Sequence, residues 1–146
     1  MELIHYSNKP ICFDPHHKFL GMVGAFKPAG FWVSVKGEMD WPEWCLDNKY
    51  NVAALKYPHE VSLKSTAKVL VVSTLEELDA FHKRFIGNNV KFYEIDWDAV
   101  KNEFDGLIIS PYQWERRFEH GWYYGWDCAS GVIWNLNVIE NVVLKG

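Results

Sequence analysis

Apolar and polar positions along the chain change period every few residues, a pattern that predicts short strands and short helices in alternation. Leu3 to Ser7 is a short mixed run closed by Asn8-Lys9-Pro10, a strand that ends in a turn. From Pro10 to Gly30, three prolines and three glycines separate Phe19, Leu20, Met22, Val23 and Phe26 at uneven spacing, which predicts a loop with room for one helical turn. Gly30 to Val35 is β-rich, with Phe31, Val33 and Val35 facing one way and Trp32 and Ser34 the other. Asp40, Pro42 and Glu43 supply a cap, a first-turn proline and an early carboxylate for a helix ending near Asn48.

Further on, Lys68 to Val72 reads as the clearest buried strand. Thr74 caps a helix over Leu75–Ile86, where Leu75, Leu78, Phe81, His82 and Phe85 recur at three and four, and Gly87-Asn88-Asn89 ends it. A strand is expected over Lys91–Ile95, a helix over Trp97–Phe104 capped by Asp96, and strands over Leu107–Ser110, Ser130–Trp134 and Val138–Leu144. Strands and helices mix without a strict βαβ rhythm. The expected fold class is therefore α+β, one domain over residues 1–146 with mixed or antiparallel sheets and short flanking helices.

Composition narrows the function classes. Fifteen Lys and Arg against nineteen Asp and Glu leave a net charge of −4, which excludes a broad nucleic-acid surface but leaves room for a local basic patch. No run approaches the roughly 18 consecutive apolar residues of a membrane span, so no membrane partner is expected. The start of the chain lacks a basic segment followed by an apolar run, so a cytoplasmic location is expected. Cys12, Cys45 and Cys128 are widely spaced and read as reduced thiols. Eight Trp, seven Tyr and nine Phe are more rings than a core of this size requires, so some are expected to line a site for a nucleobase, nicotinamide or sugar. The run Trp122-Tyr123-Tyr124-Gly125-Trp126-Asp127-Cys128 is the densest group, and its rings read as a binding wall at the surface, the alternatives being closure of the sheet edge or an aromatic-rich core.

The common nucleotide, dinucleotide and hydrolase signatures are absent. Asp14, His16 and His17, with His5 near in sequence, have metal-ligand chemistry, but adjacent histidines on a proline-bounded loop read as surface residues and no metal is expected. His59, His82 and His120 look isolated, His82 being packed beside the apolar face of its helix. Arg116 and Arg117, between Glu115 and Glu119, read as a solvated charged face, the alternative being a phosphate clamp.

Taken in order, four blocks resemble the small ADP-ribosyltransferase-like proteins of phage and bacterial type: Leu3-Ile4-His5-Tyr6-Ser7, Lys27-Pro28-Ala29-Gly30-Phe31-Trp32-Val33-Ser34, Phe104-Asp105-Gly106-Leu107-Ile108, and Val132 to Ile139. Together they span nearly the whole chain. The resemblance implies an ADP-ribosyltransferase-like fold and an activity on NAD: cleavage of the nicotinamide–ribose bond and transfer of ADP-ribose to an acceptor, a host protein or nucleic acid. It implies that His5 hydrogen-bonds the ribose and Ser7 helps orient the adenosine side. Trp32 stacks on nicotinamide, with Tyr6 the alternative ring, and Ser34 donates a hydrogen bond. The helix from Trp41 borders the pocket.

The third motif departs from the family pattern. The family's catalytic glutamate precedes the late strand, where this chain has Ser130-Gly131; the nearest carboxylate is Asp127, three residues upstream, and Glu115 is a second candidate. The residues expected to carry catalysis are His5, Ser34 and Asp127. A non-enzymatic protein that binds a nucleotide or a partner protein through its aromatic surface is the alternative reading.

Overall fold

The computed structural model of the protein describes residues 1–19, 27–87 and 95–146. Leu3–Ser7 forms β1 and Phe31–Val35 forms β2, where β-branched and aromatic residues suit a pleated surface. Trp41–Asn48 is helix α1; the Asp40 side chain accepts from the Glu43 N–H, and Lys49 ends the helix in the left-handed region. A 3₁₀ turn at Val52–Leu55 leads into β3 (Tyr57–Leu63), and β4 (Val69–Val72) follows. Thr74 caps α2 (Leu75–Phe85) and Asp96 caps α3 (Trp97–Glu103), each through its side-chain oxygen. Then come β5 (Gly106–Ile109), 3₁₀ turns at Trp114–Arg116 and Gly121–Gly125, β6 (Ser130–Ile133), a turn at Leu136–Val138 and β7 (Ile139–Leu144).

The strands form one sheet of seven in the order β4-β5-β6-β2-β1-β3-β7. Every pair of neighbours is antiparallel except β4 and β5, which run parallel because α2 and α3 carry the chain back across the sheet between them. The described residues make a single α+β domain with a mixed sheet and three α-helices. No described helix is long and apolar enough to cross a membrane.

Strand alternation gives the sheet two faces with different cover. On one face Leu107, Ile109 and Val132 pack under Leu78, Phe81 and Phe85 of α2, Val100 of α3 and the rings of Trp122, Tyr123 and Trp126. On the other, Leu3, Phe31, Val33, Val61, Ile108 and Ile133 are closed by Leu136, Val138 and Ile139 from the C-terminal turn and strand.

Several expectations change on folding. Among the described residues β4 is an edge strand, not a buried one: it has β5 as its one neighbour there, and Val71 is 38% exposed. β3 was not expected, because Pro58, His59, Glu60 and Ser62 mask its apolar period, yet it pairs with β1 from Leu3↔Val61 to Ser7↔Tyr57. The strand expected over Lys91–Ile95 lies outside the described residues except Ile95, which bridges to Ile86. The helical turn expected before Gly30 falls largely on residues 20–26, also outside them.

The β1–β2 ladder holds at Leu3↔Val35 and Ile4↔Ser34, then stops, while β1 stays with β3 through Ser7 and β2 stays with β6 through Phe31. The sheet forks there. On its far side β2 needs close packing: Gly131 sits between Val33 and Ile108, and a Cβ on it would lie 2.5 Å from Ile108 Cγ1 and 2.9 Å from the Leu107 carbonyl oxygen. Gly131→Ala is expected to lower unfolding free energy by about 1–3 kcal/mol through overpacking, measured by chemical denaturation.

Candidate functional site

The fork opens into a cleft of about 350 Å³. Ile4, His5 and Tyr6 of β1 form one wall and Trp32, Val33 and Ser34 of β2 the other. Asp127, Cys128 and Ser130 close it beneath, and Lys27, Trp41, Asn51 and Ala54 complete its lining. The segment carrying Asp127 is pinned by the main chain: the Ala129 N–H donates to the Met39 carbonyl at 2.8 Å, and the Val35 N–H donates to the Ala129 carbonyl at 3.0 Å.

His5 sits in the fork itself. Its Nδ1–H donates to the Trp32 carbonyl at 2.7 Å, bridging the two strands where their main-chain ladder has ended, and its ring stacks on Phe31 at 4.2 Å. With Nδ1 so occupied, the neutral ring has Nε2 as a hydrogen-bond acceptor. Burial lowers the His5 pKa, against the opposing pull of the Trp32 carbonyl, which favours that neutral form. Beside it lies His59, fully buried, whose Nε2 accepts the Ile11 N–H at 3.1 Å and whose Nδ1–H donates to the His5 carbonyl at 3.2 Å. His59 is thus not isolated but ties β3 to β1 and to the loop after it.

Ser34 accepts the Trp41 N–H on its Oγ at 3.0 Å, which fixes the start of α1 against the cleft and leaves the hydroxyl hydrogen to donate elsewhere. Across the β2–β6 register stands Ser130, donating to the Cys128 carbonyl at 3.0 Å. Asp127 is half-buried; burial raises its pKa and the field of Lys27 lowers it. Burial pushes the Cys128 thiol up to about 12 and also raises Cys45, so neither is a thiolate at neutral pH.

Five of the six residues expected at a ligand, His5, Tyr6, Trp32, Ser34 and Asp127, therefore line one cleft, with Trp41 at its border as expected. Ser7 is outside that lining; its hydroxyl donates to the Lys9 carbonyl and turns the chain at the end of β1. Glu115, the second candidate carboxylate, is exposed in the turn at Trp114–Arg116 and does not line the cleft. Sequence reasoning gave no role to Asn51 or Ala54, which a 3₁₀ turn brings up. It also gave none to Lys27, though this cation leads into the Gly30–Trp32 block.

The aromatic run is a correction. Trp122, Tyr123 and Trp126 are buried to within 1% of completely, and among its large rings Tyr124 alone is mainly exposed, at 67%. The turn at Gly121–Gly125 aims the rings inward, with Trp122 edge-on to Phe81 at 5.4 Å and to Trp97 at 6.1 Å, and with the Tyr123 hydroxyl accepting the Gln113 N–H at 2.9 Å. They are core, not a binding wall.

Trp122 also ends a polar chain. Its Nε1–H donates to His82 Nδ1 at 3.0 Å; His82 stacks on His120 at 4.0 Å; His120 Nε2 meets Asp79 at 2.8 Å; and Asp79 takes both arms of Arg116 at 3.0 Å. Arg116 is thereby committed to a carboxylate rather than a phosphate, and Arg117 stacks on Trp114 at 3.6 Å. The bidentate Arg116 bond and His120 hold Asp79 down at about 2. Asp14 accepts the His16 N–H at 2.9 Å in a local turn, and no three His, Cys, Asp or Glu side chains gather as a metal-ligand set among the described residues.

Compared with protein-family models, with curated proteins and with solved structures, the chain matches none.

Trp122→Ala is expected to cost about 3–5 kcal/mol of stability by denaturant titration, against about 0.5 kcal/mol or less for Tyr124→Ala. His5 and His82 both have pKa values lowered by burial, so the unfolded chain takes up protons first as pH falls. Their contribution is complete above the ordinary imidazole value of 6.5 and declines below it. Melting temperature is expected to fall between pH 7.5 and pH 5, with a shallower slope in His82→Gln and a residual slope from His5.

Proposed function

We propose that the protein is an ADP-ribosyltransferase-like enzyme that uses NAD as its substrate and transfers ADP-ribose to a macromolecular acceptor. The observation that carries this reading is the convergence of His5, Tyr6, Trp32, Ser34 and Asp127, distant in sequence, on the single fork of the sheet.

In this mechanism the bond from ribose C1′ to the pyridinium nitrogen breaks, its electron pair stays with nicotinamide, and the sugar becomes an oxocarbenium-like cation. Asp127 opposes that charge with its carboxylate, in a half-buried setting where the effect is stronger than in water. His5 accepts a ribose hydroxyl on Nε2, and Ser34 donates its free hydroxyl hydrogen; both hold the sugar still while the bond breaks. Trp32 or Tyr6 presents a flat face to the departing ring. The acceptor's nucleophile then bonds to C1′ and gives up its proton.

The second reading, a binding protein without catalysis, draws on a different surface: Trp114, Phe118 and Tyr124 are each more than half exposed, and Arg117 lies over the first two rings at 3.6 and 4.5 Å. Absence of NAD binding in wild type would favour it.

The test is calorimetry with NAD followed by an assay for nicotinamide on the same sample. Wild type is expected to bind and release; Asp127→Asn is expected to retain binding and to lose roughly 100-fold or more in release rate. Full activity in Asp127→Asn would remove that carboxylate from the mechanism. Release should also fall as acid protonates Asp127, because only its charged form opposes the cation.

A further inference from the structure

We infer that a second pocket, on the face of the sheet opposite to Trp32, binds a trimethylammonium group, the head of a choline-type molecule or of a methylated lysine side chain. Its volume is about 240 Å³, and neither Trp32 nor Asp127 lines it. Alternation along β2 puts Phe31 on this face and Trp32 on the other. Phe31 is the floor, 5% exposed, with the His5 ring stacked on it at 4.2 Å. The loop after β1 builds the walls. It is tied down at Ile11, whose N–H donates to His59, and Phe13 then stands across Phe31 at 5.5 Å and 70°. A tight turn follows, in which the His16 N–H donates to Asp14 Oδ1 at 2.9 Å and the His17 N–H donates to the Asp14 carbonyl at 3.1 Å. That turn brings His17 and Phe19 to the pocket, their rings crossed at 72° and 4.6 Å apart.

Shape and charge together select the guest. Parallel rings make a slot for a flat ligand, whereas rings crossed near right angles make the corners of a box, which suits a compact round group. The floor is completed by Ile11 and Leu136, so a hydrated ammonium would lose its water there without finding acceptors enough to replace it. Methyl groups in place of the ammonium hydrogens remove that cost and keep the charge that aromatic rings attract. The carboxylate in the lining is Asp14. Among the described residues its Oδ2 accepts no hydrogen bond, no cation lies within 4.0 Å of it, and no Lys or Arg lines the pocket. An anion would meet that uncompensated charge. A neutral guest of the same shape would gain the apolar contact alone.

The experiment is a titration of choline followed by the amide NMR signals of Cys12 to Phe19. Its companions are the uncharged tert-butyl analogue of choline, in which carbon replaces nitrogen, and an N-acetyl trimethyllysine amide. Choline is expected to shift those signals and to bind roughly tenfold tighter than the uncharged analogue. Phe19→Leu should weaken it roughly three- to tenfold, and Asp14→Asn about threefold, because water weakens the field of an exposed carboxylate. Both side chains are exposed and Asn keeps an acceptor for the His16 N–H, so the variants are expected to fold as wild type does. The tighter of choline and the trimethyllysine amide identifies which carrier of the group the pocket takes. Equal binding of the uncharged analogue overturns the inference, as it would show a merely apolar cavity. So do signals that choline leaves unmoved, or a choline affinity that Phe19→Leu leaves unchanged. Asp127→Asn is expected to bind choline as wild type does, and a failure of NAD to bind would leave this titration intact.

Discussion

The structure depends on how the sheet satisfies its main chain where β1 leaves β2. A ladder that stops inside a folded domain strands carbonyl groups that must find donors. Here the donor is the His5 side chain, which reaches the Trp32 carbonyl and so replaces a strand–strand bond with an imidazole bridge. His59 completes the arrangement from β3 by donating to the His5 carbonyl and accepting from Ile11. The two rings bridge the main chain where β1 and β2 diverge, and the gap between them is the cleft. The residue that keeps the fork open is therefore also placed to meet whatever enters it.

The aromatic content serves this geometry from behind. Trp122 and Trp126 form a contiguous set with Trp32, edge-on at 6.3 and 5.0 Å, so the wall of the cleft is continuous with the core beneath α2 and α3. The segment between β5 and β6 supplies those rings and then Asp127 within a few residues. It is clamped to α2 by the chain from Arg116 through Asp79, His120 and His82 to Trp122. Burial of rings and satisfaction of polar groups thus act together to position a single carboxylate. Among the described residues Trp126 Nε1 has no hydrogen-bond partner.

Local signals sufficed for much of the chain. Caps at Asp40, Thr74 and Asp96 and the alternation of Phe31 to Val35 depend on neighbours in sequence, and the expected elements formed with ends within a residue or two. The α+β class followed from the same local signals. The candidate site was legible as residue types in ordered blocks, and five of its six expected members meet in space. Ser7 does not, because a hydroxyl at a strand end is captured by the nearest carbonyl of its own turn.

What tertiary structure alone decided has one physical source: burial and pairing are properties of neighbours distant in sequence. The apolar run Val69–Val72 looks internal but lies at the sheet edge, since strand order is not written in any strand. Tyr57–Leu63 looks broken by Pro58 and its polar neighbours but becomes a strand because β1 and β7 offer it partners on both sides. Trp122, Tyr123 and Trp126 look like an exposed wall but turn inward, because α2 and α3 present apolar surface that outweighs the polarity of their own segment. His120, solitary in sequence, acquires Asp79 and His82 only when the β5–β6 segment folds over α2. Sequence determined which residues can form strands and helices; the fork of the sheet determined which of their side chains meet.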